Sequence, residues 1–166
     1  KVNGKEYSSY DIECEKSGIY VGTSNGLYKI PQDISYDSLT LLYPDDNHKS
    51  WYHSRPFVIN CIEKYDERYL VASSDDGLMR IDMHNDEVVV IGKNERVKNV
   101  VVREEGIYAL VDSGLKVYDI DGSLKHEYPF ELYADFYYYV PETGVNYFIS
   151  HDHMYLVQDK DIASPD

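Results

Sequence analysis

Apolar runs of about five residues, each closed by a Gly-, Asn- or Asp-bearing turn, recur along this chain in sets of four. The clearest set is built around GIYVGTSNGLYKI, Gly18 to Ile30. That unit returns as RYLVASSDDGLMRI from Arg68 to Ile81 and as GIYALVDSGLKVY from Gly106 to Tyr118. A worn copy, NYFISHDHMYLV, runs from Asn146 to Val157. Each copy reads as strand, tight turn, strand. A further strand is expected before each unit, at Ser9–Cys14, Phe57–Ile62, Val97–Arg103 and Ala134–Val140. One more follows the first three, at Ser38–Tyr43, Glu87–Ile91 and Ser123–Tyr128, and no convincing strand follows the fourth. No 3.6-residue apolar period is sustained long enough to prefer helix, so the expected class is all-β.

The turns support this independently. Asn25-Gly26 and Asp76-Gly77 are pairs that favour the left-handed dihedrals of a two-residue hairpin turn. Ser113-Gly114 is a weaker version, and His153 replaces the glycine in the fourth copy. The turn positions 26, 77, 114 and 153 repeat every 51, 37 and 39 residues. Two of these spacings lie near the roughly 40–45 residues of a four-stranded propeller blade. The long one contains an insertion, PDDNHKSWYHSRP from Pro44 to Pro56, which carries the only Trp of the chain.

Four short strands per repeat suggest a β-propeller, in which radially stacked sheets bury both faces against their neighbours. The middle strands agree, being apolar almost without interruption at Ile19–Val21, Tyr69–Val71 and Ile107–Leu110. The reading is a single domain over residues 1–166, with repeats at about 7–45, 54–92, 93–130 and 131–158 and residues 1–6 left as a closing strand. The N-terminal KVNGKEY, Lys1 to Tyr7, is the candidate for the missing strand of the fourth sheet. Two other arrangements stay open: part of a larger propeller, or a ring shared between two chains, with a homodimer formed through an open sheet edge.

GIYVGTSNGLYKI, DERYLVASSDDGLMRID and GIYALVDSGLKVYDIDG resemble β-propeller repeats of the regulator-propeller and WD40-like kind, across roughly residues 9–158. The Trp-Asp dipeptide and Gly-His pair of WD40 repeats are missing. The resemblance implies a sensor ectodomain or an intracellular interaction platform. It supplies no catalytic residue, and fold does not fix function.

Composition sharpens the picture in three places. Thirty acidic against sixteen basic residues leave a net charge of -14, a field that repels nucleic acid and favours a basic partner. Eighteen tyrosines suit strands with one apolar face, or a contact surface. Cys14 and Cys61 fall on different strands and are expected as buried free thiols. No run reaches the length of a membrane span. The chain opens with Lys1, as an excised piece would.

Candidate chemistry is sparse. The insertion gathers Asp45, Asp46, His48, Trp51, Tyr52, His53 and Arg55, and Trp, Tyr and Arg dominate binding hot spots. These seven are the expected partner-binding residues. His151 and His153 could join a metal site, but two ligands are too few and a degenerate turn is the better reading. Phe136, Tyr137, Tyr138 and Tyr139 are expected as core on both faces of their strand. No nucleophile elbow, phosphate loop or paired CxxC is present, and no cofactor is expected. The expected function is a non-catalytic module that binds a protein through a loop face. A glycan- or small-molecule-sensing propeller comes second and a carbohydrate-active enzyme third.

Overall fold

The structure, a computed structural model, describes residues 8–32, 39–44, 57–93, 95–130 and 133–162. The first sheet comprises β1 (Ser9–Glu15), β2 (Gly18–Thr23), β3 (Gly26–Ile30) and β4 (Thr40–Tyr43). The second comprises β5 (Ile59–Lys64), β6 (Tyr69–Ser74), β7 (Gly77–Asp82) and β8 (Glu87–Lys93). The third comprises β9 (Asn99–Arg103), β10 (Gly106–Val111), β11 (Gly114–Tyr118) and β12 (Leu124–Pro129). The fourth has β13 (Phe136–Val140), β14 (Val145–Ile149) and β15 (Met154–Gln158), followed by a single helical turn, α1 (Asp159–Ile162). Every sheet is an antiparallel meander in chain order. The expected strands are all present among the described residues, with boundaries shifted by a few residues.

The hairpin turns correct one expectation. Thr23 pairs with Gly26 and Ser74 with Gly77, so the two loop residues are Ser24-Asn25 and Asp75-Asp76. Among the described residues Asp86 is the only non-glycine at positive φ, so Asn25 and Asp76 are not left-handed. The glycine alone bears the unusual dihedral, with φ of 115° at Gly26 and 136° at Gly77. The cause is the fourth strand of the same sheet. A Cβ on Gly77 would lie 1.7 Å from the Gly92 carbonyl oxygen, and one on Gly26 would lie 2.2 Å from that of Tyr43. A hydroxyl completes the turn: Thr23 Oγ1 donates to the Gly26 carbonyl at 2.9 Å and accepts from Asn25 N–H at 3.0 Å. Ser74 makes the same pair of bonds at Gly77 and Asp76. In the fourth sheet Ser150 Oγ accepts from His153 N–H at 3.1 Å. No fourth strand is described beside that turn, so no carbonyl demands a glycine there.

The sheets stack in sequence with their first strands converging: β1 lies against β5, β5 against β9, and β9 against β13. Three apolar cores fill the junctions. Tyr20, Leu27, Ile59, Leu70 and Met79 are among the residues between the first and second sheets. Val71, Leu78, Val100 and Ala109 lie between the second and third. Leu110, Leu115, Tyr137 and Phe148 lie between the third and fourth. Alternate residues of β6 and β10 thus enter different cores, which is why those strands are buried along nearly their whole length. This is the blade stacking of a β-propeller.

Among the described residues no core joins the fourth sheet to the first, so the four blades form an open arc. Tyr137 and Phe148 are buried, whereas Phe136 and Tyr138 are 58% and 64% exposed. This corrects the expectation that both faces of β13 are core: the outer one is exposed at Phe136 and Tyr138. The outer face of the first sheet is open in the same way at Tyr10 and Ile12. Cys61 is buried and free, but Cys14, on that outer face, is exposed rather than buried. The closing strand sought at Lys1–Tyr7 lies outside the described residues.

Candidate functional site

The first strands repeat a polar device at one register position. Counting four residues back from the turn, Gly22, Ser73, Leu110 and Ile149 pair with Asp11, Cys61, Asn99 and Phe136. Asp11 Oδ2 accepts the Ile62 N–H of the next sheet at 2.7 Å. Cys61 Sγ donates to the Val100 carbonyl at 3.6 Å. Asn99 Oδ1 accepts the Tyr137 N–H at 3.0 Å. Each bond reaches the residue after the equivalent position in the following blade. First strands are sheet edges with unpaired backbone groups, and these side chains satisfy one such group per junction. Burial pushes the Cys61 thiol up to about 12, so it acts as a neutral donor.

Carboxylates crowd the same strands. Asp11, Glu13 and Glu15 occupy alternate positions of β1, and Glu63 lies on the neighbouring β5. Glu15 is paired with Lys64 at 3.2 Å. Glu63 has no such relief: burial, then the charges of Asp11 and Glu13, raise its carboxyl to about 7. Glu13 is raised as well, by burial first and then by Glu15 and Asp11. This stretch of the inner strands is therefore short of positive charge, and a cationic group brought to it would be attracted to the carboxylates and would lower their raised pKa values.

The seven expected partner-binding residues, Asp45, Asp46, His48, Trp51, Tyr52, His53 and Arg55, lie outside the described residues. The two roots of their loop are described. Tyr43 and Phe57, both buried, hold the entry and exit together with ring centroids 5.2 Å apart. The roots sit beside the turn of the second sheet, where Asp75 Oδ2 accepts Val58 N–H at 3.1 Å and Tyr43 Oη donates to Asp76 Oδ2 at 3.4 Å. Arg96 stands 3.3 Å from Asp75 on the same rim. The loop thus leaves the arc at the first junction, on the rim that carries the Asp75-Asp76 and Asp112-Ser113 turns. His151 and His153 occupy the exposed turn of the fourth sheet, where His153 Nδ1 lies 2.7 Å from Asp152. Among the described residues no group of three or more His, Cys, Asp or Glu side chains is arranged to hold a metal ion. No described helix is long and apolar enough to cross a membrane.

One feature has no sequence signal. Arg103, the last residue of the expected strand Val97–Arg103 and given no role from sequence, is nearly inaccessible at 4% side-chain exposure. Its guanidinium lies between the Tyr108 and Tyr139 rings, 4.2 and 3.7 Å from their centroids. It donates to both carboxylate oxygens of Asp159 at 3.0 and 2.7 Å, and to Tyr137 Oη and Asn146 Oδ1 at 3.3 Å each. Burial alone would lower its pKa, but the bonds to Asp159 and Tyr137 leave it raised. Asp159 is held below the usual carboxylate range, chiefly by the bond from Arg103. Nε has no hydrogen-bond partner, and Glu105 stands 3.4 Å from it as an ion pair. Arg103, Glu104, Glu105, Tyr139 and Pro141 line a cleft of about 460 Å³ at the third junction.

No family model matches the sequence, and no curated protein matches it significantly. Solved structures do resemble the fold. The extracellular domain of the one-component system BT4673 from B. thetaiotaomicron is similar over 90% of this chain at 18% identity, with a TM-score of 0.68. The WD40 β-propeller domain of Doa1 is similar over 93% at 18% identity, with a TM-score of 0.59. The N-terminal domain of Nup159 is similar over 91% at 12% identity, with a TM-score of 0.54. The chain spans 21% of the BT4673 structure, 52% of the Doa1 structure and 45% of the Nup159 structure.

Proposed function

We propose that this β-propeller is a non-catalytic interaction module that binds a basic protein segment. The observation that supports this reading most directly is the carboxylate stretch of β1 and β5, where Glu63 is held near 7 with only burial and like charges around it. A lysine- or arginine-bearing segment laid along these strands would supply the missing charge. The whole-molecule field of -14 would steer it there, and association would weaken as salt rises. Asp11 is spent on its junction bond and Glu15 on Lys64, which leaves Glu13 and Glu63 to meet the partner. The Pro44–Pro56 loop, rooted at the same junction, is the second contact.

A lysine-rich peptide serves as probe, with binding read by fluorescence anisotropy. Affinity is expected to rise between pH 6 and pH 8 as Glu63 loses its proton, and Glu63→Gln should flatten that rise. Deleting residues 45–55 should weaken binding further while leaving the melting temperature nearly unchanged. Salt-independent binding, or a pH profile unmoved by Glu63→Gln, would remove the inner strands from the site.

A second reading, a small-molecule or glycan sensor, draws on the likeness to the BT4673 extracellular domain and on the cleft beside Arg103 and Tyr139. It requires a ligand-dependent rise in melting temperature of the size mass action sets. A flat response across sugars and short peptides counts against it.

A further inference from the structure

The two ends of the arc are apolar where solvent meets them. On the fourth sheet, β13, β14 and β15 align Phe136 with Ile149 and Met154, and Tyr138 with Tyr147 and Leu156. Phe136, Tyr138, Met154 and Leu156 are each more than half exposed. The first sheet offers Tyr10 and Ile12, 53% and 54% exposed, on its outer face. The other faces of these same sheets are buried in the first and third junctions. Contiguous exposed apolar surface of this kind marks a contact site.

We infer that each end face is covered by the opposite end of a second copy, so that two arcs close one ring head to tail. Two observations and one symmetry argument converge on this occupant. The chain spans 52% and 45% of the Doa1 and Nup159 propeller structures, so the portion missing from such a ring is about one more arc. The ends also fit each other at the register position that joins the blades inside the chain. At the trailing end that position is Phe136, which has no bond to offer. At the leading end the backbone group a neighbour would otherwise satisfy, Ile12 N–H, is already taken by Asp11 Oδ1 at 2.9 Å. A blade after Phe136 must therefore need no side-chain bond on its first strand, and the first blade of this chain is such a blade. Finally, a two-fold axis through the ring makes the two junctions identical and leaves no end uncovered.

The test is the solution mass of the 166-residue chain across micromolar concentrations, by sedimentation equilibrium. Twice the 19.3 kDa chain mass is expected. Leu156→Asp on the trailing face and Ile12→Asp on the leading face should each weaken association by on the order of 100-fold, since either puts a charge into both apolar junctions. Leu124→Asp, at an exposed position of β12 away from both ends, should leave the mass doubled. Circular dichroism of the variants separates dissociation from unfolding, because all three positions are exposed in the single arc. Association should strengthen with salt, as repulsion between two copies of charge -14 is screened. A monomeric chain, the result expected if further blades of a longer polypeptide complete the ring, overturns the inference. So does a dimer that only Leu156→Asp disrupts, which would pair two trailing faces, or one that salt weakens.

Discussion

The second and fourth sheets are copies of one hairpin in two surroundings. The second has a neighbour on each face and a fourth strand along its outer edge. The fourth has a neighbour on one face and no described fourth strand. Three differences in their residues follow. Along β6 Leu70, Val71, Ala72, Ser73 and Ser74 are all buried, while in β14 only Asn146 and Phe148 are. Gly77 stands where β8 passes, and His153 stands where no strand passes. Cys61 hands a bond to the next blade, whereas Phe136 faces solvent. What a repeat keeps is thus set by what touches it, and the hydroxyls of Ser74 and Ser150 survive in both because the turn itself uses them.

The sharpest way to break this comparison is a pair of alanine substitutions at the two turns. Gly77→Ala must adopt a strained φ and move the Gly92 carbonyl, so a loss of about 4 kcal/mol or more is expected in urea denaturation. His153→Ala, in the equivalent turn, should cost less than about 0.5 kcal/mol. Equal effects would mean that the fourth strand does not impose the glycine.

Next in size, Phe148→Ala should cost about 3–5 kcal/mol through the cavity it leaves at the third junction. Tyr147→Ala on the outer face should cost far less in the isolated arc, and more at concentrations where copies associate. Arg103→Met should cost on the order of 3 kcal/mol, since Asp159 and Asn146 would lose their shared donor. Its acid profile carries the sign. Asp159 is depressed in the folded state, so its contribution is present above the unfolded carboxylate pKa of about 3.9 and is lost as pH falls through the lower folded value. The substitution should therefore flatten the acid limb of stability.

The smallest effect runs the other way. Glu63, raised to about 7 when folded, binds its proton more tightly in the native state than in the unfolded chain. Its contribution to folding is fully present below the unfolded carboxylate pKa of about 4.3 and is lost as pH rises through about 7. Glu63→Gln should stabilise the protein at pH 8 and clearly less at pH 5, measured by thermal melts.

Much of this architecture was legible in residue order because the junctions are built from local repeats. The hairpin copies announced the strands, their number and the all-β class, and the unbroken apolar middle strands announced stacking on both faces. Alternation placed Phe136 and Tyr138 on one face of β13 and Tyr137 and Tyr139 on the other. It could not say that only one face would have a neighbour, which depends on ring closure. Arg103 was hidden for a similar reason: its partners come from Tyr108, Tyr137, Asn146 and Asp159, separated from it by 5 to 56 residues. The bonded series Asp11, Cys61, Asn99 shares a register but no chemistry, so no motif search would align it. The loop holding Trp51 and Arg55 stood out by composition alone, and the described residues locate only its roots.

The thiol in that series gives the molecule an internal gauge. Cys61 spends its proton on a neighbouring blade and sits at 9% exposure, so an alkylating reagent can reach it only while the second and third blades stand apart. Cys14, out on the leading face, is open to the same reagent in the single arc. The slow labelling rate of the one, set against the fast rate of the other, would report how often the arc breathes at its centre, with no residue substituted.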